Sequence, residues 1–284
     1  MKRLFYLIAP TLLFASCERE LQYTFNMDYT NKLVVNALMS DMETISVSVS
    51  GSVPFSSVGI PPMIENANVY IFIDGVKQPK LNYNNFDKVY TSSIKPMAGR
   101  TYRILAEAPG YASVEATAIM PSGGTFLPSV FKDSVFVDSS GFPLGRITAS
   151  IMDDPATENY YRVKLFYYES TFGEFAELPI DSEDPLVNQF ASSQNGGVVF
   201  SDATFNGKRR DIYFKTPFGY GKGSPKFMLL LENLSKDYYL YVTSLNNYQN
   251  SGSGIFSEPV FVYTNVKDGL GIFAGYNQVK DTLR

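Results

Sequence analysis

The sequence predicts an all-β protein with two tandem antiparallel β-sandwiches behind an N-terminal leader. Short runs of alternating polarity, rich in β-branched and aromatic residues, recur along the chain, turn residues separate them, and helix signals are scarce. Hydrophobic residues make up 45% of the chain and aromatic residues 15%, which is enough apolar surface for folded cores. Because there is one cysteine, no intrachain disulfide can form, and the cores must depend on burial.

The N-terminus has the layout of a secretory leader. Lys2 and Arg3 precede an apolar segment over residues 4–14. A helix of that length, at about 1.5 Å per residue, cannot cross a bilayer core that needs about 20 residues. The segment is therefore predicted to be a signal peptide, covering residues 1–16, rather than a membrane anchor.

The single cysteine follows this leader directly. The residues LFASC, with small Ala15 and Ser16 before Cys17, resemble a bacterial lipobox, although Phe14 stands where leucine is commoner. The resemblance implies cleavage after Ser16 and acylation of Cys17. Each buried methylene contributes about 0.8 kcal/mol, so two or more acyl chains anchor a protein stably. The alternative is an incidental free cysteine behind a plain signal peptide.

Residues 17–30 are predicted to be a tether. Its first residues after the cysteine, Glu18–Glu20, resemble the surface-export signal of some Gram-negative lipoproteins. We therefore expect a lipid-anchored protein of the outer membrane, displayed on the cell surface. The alternative is that these charges only keep the tether solvated.

Residues 31–121 are predicted to form the first sandwich. Ile45, Val47 and Val49 alternate with serines, which is the pattern of a half-buried strand, and Asp74-Gly75 marks a tight turn. The predicted strands share this alternation and lie in NKLVVNALM (31–39), TISVSVSGSV (44–53), ANVYIFIDG (67–75), KVYTSSI (88–94), TYRILAEAPG (101–110) and ASVEATAIM (112–120). The segment around the fifth strand resembles prealbumin-like and carboxypeptidase-regulatory-like modules.

Residues 122–284 are predicted to form the second sandwich, because two prolines and two glycines break the strand pattern at 120–128. This half resembles a fibronectin type III or immunoglobulin-like domain. Its predicted strands are GRITASIM (145–152), NYYRVKLFYYES (159–170), GVVFSD (197–202), RDIYFK (210–215), KFMLLLENL (226–234), YYLYVTSLNNY (238–248) and EPVFVYTNV (258–266). Residues 173–196 lack strand periodicity, and a connection of this length is usually functional or mobile.

Catalytic and metal-binding patterns are sparse. The chain has no histidine, which removes Ser-His-Asp and Cys-His catalysis and the usual His-containing metal sites. Paired carboxylates could hydrolyse glycosides or hold calcium. The candidates are Asp153, Asp154, Asp181, Glu183 and Asp184. Their proline-flanked settings favour turns and solvated loops instead, so we predict no enzyme activity, no cofactor and no metal.

A glycine motif and the net charge both bear on nucleotide and nucleic-acid binding. Residues 269–274, GLGIFA, fit a dinucleotide motif, but too few residues follow for the βαβ unit that the motif requires. They are predicted to be a glycine-permitted bend that packs Ile272 and Phe273 on the last domain. Without residues 1–16 the net charge is 22 − 28 = −6, and an acidic chain without basic clusters is a poor nucleic-acid binder.

Tyrosines in adjacent pairs are the remaining lead. Neighbours on a strand point to opposite faces, so one of each pair is predicted to enter the core and the other to lie exposed, where it could contact protein or sugar. The alternative is ordinary sandwich packing. The tyrosines are Tyr160, Tyr161, Tyr167, Tyr168, Tyr238, Tyr239 and Tyr241.

Taken together, these segments resemble the bacterial lipoproteins of domain of unknown function 4249. The matching pieces are the lipobox cysteine, KLVVNALMS (32–40), ENANVYIFIDG (65–75), AGRTYRILAEAPGY (98–111), IMDDPATENYYRVKLF (151–166), FSDATFNGKRRDIYF (200–214), LSKDYYLYVTSLNNY (234–248) and FSEPVFVYTNVKDGLGIFAGYN (256–277). The resemblance implies a non-enzymatic envelope lipoprotein, accessory to a TonB-dependent outer-membrane receptor. The alternative function is a surface module that captures a glycan or a peptide.

Overall fold

The all-β fold class is confirmed by the structure, a computed structural model. It describes residues 29–54, 59–180, 182, 184–188, 197–216, 227–251 and 260–283, the side chains of Asp133, Val187 and Asn188 excepted. Residues Asn31–Arg284 form one compact unit.

Sixteen strands and two helices lie in the described residues. The strands of the first half are β1 (Leu33–Ser40), β2 (Ser46–Gly51), β3 (Asn68–Ile73), β4 (Val76–Lys77), β5 (Asn82–Asn84), β6 (Val89–Thr91), β7 (Thr101–Glu107) and β8 (Val114–Ile119). Those of the second half are β9 (Thr125–Val137), β10 (Pro143–Met152), β11 (Tyr160–Glu169), β12 (Glu174–Leu178), β13 (Val198–Ser201), β14 (Arg209–Thr216), β15 (Phe227–Leu234) and β16 (Leu270–Leu283). The helices are α1 (Pro185–Asn188) and α2 (Lys236–Asn250).

The first core lies between two sheets with the strand orders β1-β2-β6-β5 and β4-β3-β7-β8. The face predicted for the second strand is confirmed, since Ile45, Val47 and Val49 are all buried in this core. Tyr90 of β6 is hydrogen-bonded to the segment that leads into β3. Its hydroxyl donates to the Ile64 carbonyl at 2.7 Å and accepts from the Ala67 amide at 2.7 Å. Both hydrogen bonds offset the cost of removing this hydroxyl from water.

The second core lies between the three-stranded sheet β14-β10-β9 and the strands β11, β13 and β15. Alternate residues of β10 and β11 meet there, among them Ile147, Ile151, Val163 and Leu165, all fully buried. The predicted strands that became β10, β11, β13, β14 and β15 are therefore confirmed.

Strand β16 joins the two halves. The bend predicted over 269–274 is confined to its start, since the chain bends at Gly269 and is extended from Leu270 onward. Leu270–Tyr276 pairs in parallel with β1, and Tyr276–Leu283 pairs antiparallel with β15. Within the described residues this makes one nine-stranded sheet. Ile272 packs against residues of the second half, as predicted. Phe273 points to the opposite face and lies in the first core, because β16 is paired with β1 at that point. The predicted division between residues 121 and 122 stays a prediction, although the shared strand links both sides of it.

The strand predicted over 238–248 is wrong, since these residues lie in helix α2. The N-cap Ser235 accepts a hydrogen bond from the Tyr238 amide, and Asp237 stands in the first turn, where a negative charge is favourable. Large side chains recur at helical spacing along α2: Tyr238, Tyr241, Val242 and Leu245. A third core lies on the outer face of the large sheet and contains Tyr160, Val199, Leu234, Tyr238, Ile272 and Ala274, with Tyr241 and Val242 packed against it.

An ion pair is buried under this helix. Arg162 of β11 and Glu232 of β15 are cross-strand neighbours, and the Arg162 Nε donates to the Glu232 carboxylate. Their side chains are 9% and 2% exposed. The guanidinium lies 4.9 Å from the ring centroid of Tyr238, so the helix covers the charge with an aromatic face. Burial lowers the pKa of Arg162, but the hydrogen bond to the Glu232 carboxylate and its negative charge outweigh this effect, so the pKa lies above its ordinary value.

The strand predicted over 258–266 is wrong for its described part, 260–266, which has no strand partner along its length. The segment is held by side chains instead. The Tyr263 hydroxyl donates to Asp237 at 2.6 Å and its amide donates to Ser244 at 2.8 Å. Burial and the Asp237 carboxylate raise the pKa of Tyr263 to about 12.

Two segments predicted to lack strands contain them. In 120–128, β9 begins at Thr125 and accommodates Pro128 at a bulge between its pairings with Ser150 and Thr148, where no ladder donor is needed. In 173–196, β12 pairs with β11 and α1 follows, while residues 181, 183 and 189–196 lie outside the described part.

Candidate functional site

The carboxylates predicted as catalytic candidates do not face one another across an open cleft in the part of the chain that the structure describes. Asp153 is 4% exposed and accepts hydrogen bonds from the Tyr161 hydroxyl and from the Gly207 amide at 2.7 Å. Asp154 accepts from the Ala156 amide at 3.0 Å, which is a local turn. The turn interpretation of DDP is confirmed for Asp154. It is wrong for Asp153, which is buried and held by residues distant in the sequence.

The other acids belong to the 173–196 segment. Asp184 is buried, and both of its oxygens accept from Nη2 of Arg210, at 2.6 and 2.7 Å. It also accepts from the Leu186 amide at the start of α1. Asp181 and Glu183 lie outside the described residues. Asp184 therefore positions Arg210 and α1.

A further buried acid, Asp202, was not singled out by the sequence. It is 3% exposed and accepts from the Asn159 amide at 2.9 Å. Burial raises the pKa of Asp202, and the nearby charge of Asp153 raises it further. The local sequence FSDATFNG does not indicate that Asp202 is buried, because the Asn159 amide that it binds is distant in sequence.

The Asp202→Asn variant is expected to melt at the same or a higher temperature than the wild type at pH 7. Because the pKa of Asp202 is raised in the native state, the native state binds a proton more readily than the unfolded state does. The free energy of unfolding therefore increases as the pH falls through the native pKa towards the pKa of the unfolded state, near 3.8. Asparagine keeps an acceptor without the charge. Thermal melting at pH 7 and pH 5 measures this effect. The difference in melting temperature between the variant and the wild type should be smaller at pH 5 than at pH 7.

The matched control is Asp202→Ala, which removes both the charge and the acceptor. It leaves the buried Asn159 amide without a partner, so we expect a loss of about 1–3 kcal/mol. A lower melting temperature for Asp202→Asn than for the wild type at pH 7 would show that the charge itself stabilises the fold.

The prediction that one tyrosine of each pair lies exposed is wrong for β11. Tyr160 and Tyr161 are 5% and 0% exposed, because the second core covers one face of the strand and α2 covers the other. Tyr160 stacks on Tyr239 with ring centroids 4.5 Å apart. Tyr238 is also buried. The other four tyrosines are half-buried: Tyr167, Tyr168, Tyr239 and Tyr241. These tyrosines are predominantly packing residues.

A surface cavity of about 420 Å³ lies where β14 meets α1. That size suits a small organic ligand. Its described lining residues combine aromatic rings, cations and one acid: Phe136, Arg146, Asp184, Pro185, Arg210, Tyr213, Phe214 and Lys215. We call this the β14 cavity.

The β14 cavity carries an excess of positive charge. Three of its described lining residues are cations and one, Asp184, is an acid. The guanidinium of Arg146 lies 5.2 Å from the ring centroid of Tyr213, and Nζ of Lys215 lies 5.7 Å from that of Phe136. Sequence reasoning missed this site, since the cations come from two strands more than 60 residues apart. The alternating RDIYFK run was the available signal.

Neither a metal centre nor a membrane-spanning helix emerges from the described residues. No group of three or more His, Cys, Asp and Glu side chains there could hold a metal ion. No helix among them has the length and apolar character needed to cross a bilayer. Cys17, the predicted lipid attachment site, lies outside the described part of the chain.

Fold and site together define an all-β protein whose packed cores share one large sheet and whose outer surface carries a basic, aromatic-lined cavity. The family model for "Domain of unknown function (DUF4249)" matches residues 18–282. The chain belongs to this family, as its resemblance predicted. No curated protein matches the sequence.

Proposed function

We propose that the protein is a non-enzymatic lipoprotein of the outer membrane, held by acyl chains on Cys17 with its β unit outside the bilayer. The observation that carries this proposal is the position of the only cysteine, directly after an apolar leader and two small residues. A lone thiol in an exported protein is otherwise a reactive liability. Several acyl chains on one residue would make the attachment stable.

The dimensions of the chain support a tethered arrangement. The compact unit begins at Asn31, so the 13 residues 18–30 lie in the sequence between it and the acylated cysteine. That segment begins with Glu18-Arg19-Glu20, which favours water over lipid. The β unit would then stand clear of the membrane surface and be able to contact a neighbouring protein there.

The Cys17→Ser variant tests the anchor. We expect the wild type to incorporate labelled palmitate and to fractionate with the outer membrane, with cleavage before Cys17 seen by mass spectrometry. Cys17→Ser should lose the label and the membrane association. The matched control Ser16→Ala keeps a small residue before the cysteine and should be processed normally. Finding an unmodified thiol at residue 17 in the native protein would overturn the proposal.

We further propose that the partner is a TonB-dependent outer-membrane receptor, on the basis of the family resemblance. Crosslinking in intact cells, followed by purification of the wild-type protein in detergent, should recover such a receptor reproducibly. Protease treatment of intact cells would report whether the β unit faces outward. Recovery of the lipoprotein alone would count against the receptor and leave the anchor untouched.

A second candidate function is the capture of a ligand at the cell surface. The β14 cavity favours it, because a concave site with aromatic walls and a few charged groups is typical of ligand recognition. The tyrosine pairs do not supply such a surface, since they are mostly packed inside the fold.

A further inference from the structure

The chain enters the β unit at the end of strand β2. The Lys32 carbonyl accepts from the Ser52 amide at 2.8 Å, and the Lys32 amide donates to the Ser52 hydroxyl oxygen at 3.0 Å. On the other side of β2, the Gly51 amide donates to the Pro62 carbonyl at 2.8 Å. The predicted tether and residues 60–62 therefore meet the first core at the same end. We call it the tether end.

The turn between β5 and β6 points in the same direction. Strand β6 pairs antiparallel with β2, so the turn that precedes β6 extends towards the Gly51 end of β2. Within this turn, Nζ of Lys88 lies 3.1 Å from the carboxylate of Glu65, which follows Pro62 in the chain. Phe86 stands in the turn and therefore lies at the tether end as well.

The two most exposed large apolar side chains in the described part of the chain lie at the tether end. Ile60 and Phe86 are each 93% exposed, and Phe261 follows at 85%. One apolar side chain in water is ordinary on a protein surface. Two of them at the end nearest the proposed anchor indicate an apolar surface that both would contact, because burial of side chains of this size is favourable.

Both side chains stand on a backbone of restricted shape. The Phe86 amide donates to Oδ1 of Asn84 at 2.9 Å, and Nδ2 of Asn84 donates to the Asp87 carboxylate at 2.6 Å. Ile60 precedes two prolines, whose rings fix their own φ and restrict the residue before them. Because these segments are already ordered, less entropy is lost when the side chains bind.

The length of the tether favours lipid as the occupant. Even fully extended, the 13 residues 18–30 span at most about 45 Å. The tether end therefore stays within that distance of the bilayer that acylated Cys17 would enter, so the effective concentration of lipid there is high. The far end of the molecule is less favoured. Strand β16 begins beside Val34 at the tether end and runs 14 residues, about 45 Å, away from it.

We propose that the β unit, which the tether allows to stand clear of the membrane, also contacts the lipid surface reversibly by inserting Ile60 and Phe86. This inference rests on the proposed anchor at Cys17. The contact requires no anionic lipid, because Lys88 and Glu65 pair with each other beside Phe86. One acyl chain alone binds a membrane only marginally, so two side chains bind measurably only while the tether holds them near the bilayer.

A single introduced tryptophan tests the contact, because the chain has none of its own. The acylated Phe86→Trp variant is reconstituted into phosphatidylcholine vesicles, with and without lipids that carry bromine on their acyl chains. We expect blue-shifted emission and quenching by the brominated lipid. Added salt should not weaken either signal, because salt screens charges rather than apolar contacts.

The matched control is Phe172→Trp. Phe172 is 77% exposed and stands in the turn between β11 and β12, in the second half of the chain. Strand β11 lies beside the part of β15 that pairs with the far end of β16. The emission of this variant in vesicles should be neither shifted nor quenched.

Ile60→Ser in the Phe86→Trp background tests whether the two side chains act together. Loss of the Ile60 side chain should lower the equilibrium constant for lipid contact, read from the quenched fraction, by about tenfold or more. The control Val137→Ser removes an aliphatic side chain that is 69% exposed in the second half. It should leave the constant within about twofold. Because both side chains are exposed, neither variant should change the melting temperature measurably.

Vesicle flotation separates this inference from the anchor. If the acylated protein floats with the vesicles but residue 86 is not quenched, the anchor stands and the lipid contact is wrong. A blue shift without quenching would place residue 86 against a second copy of the chain and would also overturn the lipid contact. An acylated protein that does not float would overturn both the anchor and this inference.

Discussion

The Glu232→Gln variant is expected to lose about 3–5 kcal/mol of its free energy of unfolding. Glutamine has nearly the same shape, so packing under α2 is preserved while the charge is lost. Arg162 would then remain buried as an uncompensated cation, with its side chain only 9% exposed. The ring of Tyr238 over the guanidinium offsets only part of that cost. Urea unfolding followed by circular dichroism measures the change.

An exposed ion pair provides the comparison. Lys236 and Glu158 lie 3.1 Å apart with side chains 63% and 59% exposed, so Glu158→Gln should cost less than about 1 kcal/mol. The double variant Arg162→Met/Glu232→Leu removes both buried charges and should recover most of the stability. If Glu232→Gln cost no more than Glu158→Gln, solvent would have to reach the pair beneath the helix.

The Gly271→Ala variant is expected to destabilise the protein by about 3 kcal/mol or more, the sum of backbone strain and overpacking. Gly271 has a φ of 106°, which side chains rarely adopt. A Cβ there would lie 2.1 Å from the carbonyl oxygen of its register partner Val35. The added methyl group would force β16 away from β1. Urea unfolding gives the free energy, and insoluble protein would be the extreme form of the same result.

Two glycines separate the causes of that effect. Gly141 has a φ of 85° and Gly59 has no positive φ, and a Cβ at either position meets no atom within 4 Å. We therefore expect Gly59→Ala to be nearly neutral and Gly141→Ala to show the strain alone, about 1 kcal/mol. A Gly271→Ala loss no larger than that of Gly141→Ala would argue against a clash at the β1–β16 junction.

The strands that sequence reasoning found are those with a local alternation of buried and exposed residues. Val47 and Val49 in β2 illustrate this, since period-2 spacing alone fixes their common face. Helix α2 was misassigned because its tyrosines and valine favour strands, while the helical spacing and the Ser235 cap carried the correct signal. The prediction gave more weight to the strand propensity of these residues than to their helical spacing. In the folded protein, the packing of one helix face against the sheet decides the structure.

Strand β16 and the β14 cavity could not be predicted, for a different reason. Each depends on which distant strands become neighbours. The glycines at 269 and 271 look like a bend locally, and only the approach of β1 explains why no side chain is tolerated there. The row of Lys132, Arg146 and Lys215 likewise exists only in the register of three strands. Single-sequence patterns contain no information about register between such strands.

The position of β16 in the chain has a consequence for assembly. Asn36 and Ile272, which are hydrogen-bonded across the β1–β16 junction, are 236 residues apart. Contacts of such separation form late, since the intervening chain must be closed into a loop first. A polypeptide interrupted before Leu270 would leave the edges of β1 and β15 both unpaired, and such edges invite swapping between copies and aggregation. One fourteen-residue strand therefore covers the edges of two strands that would otherwise be open to pairing with other chains.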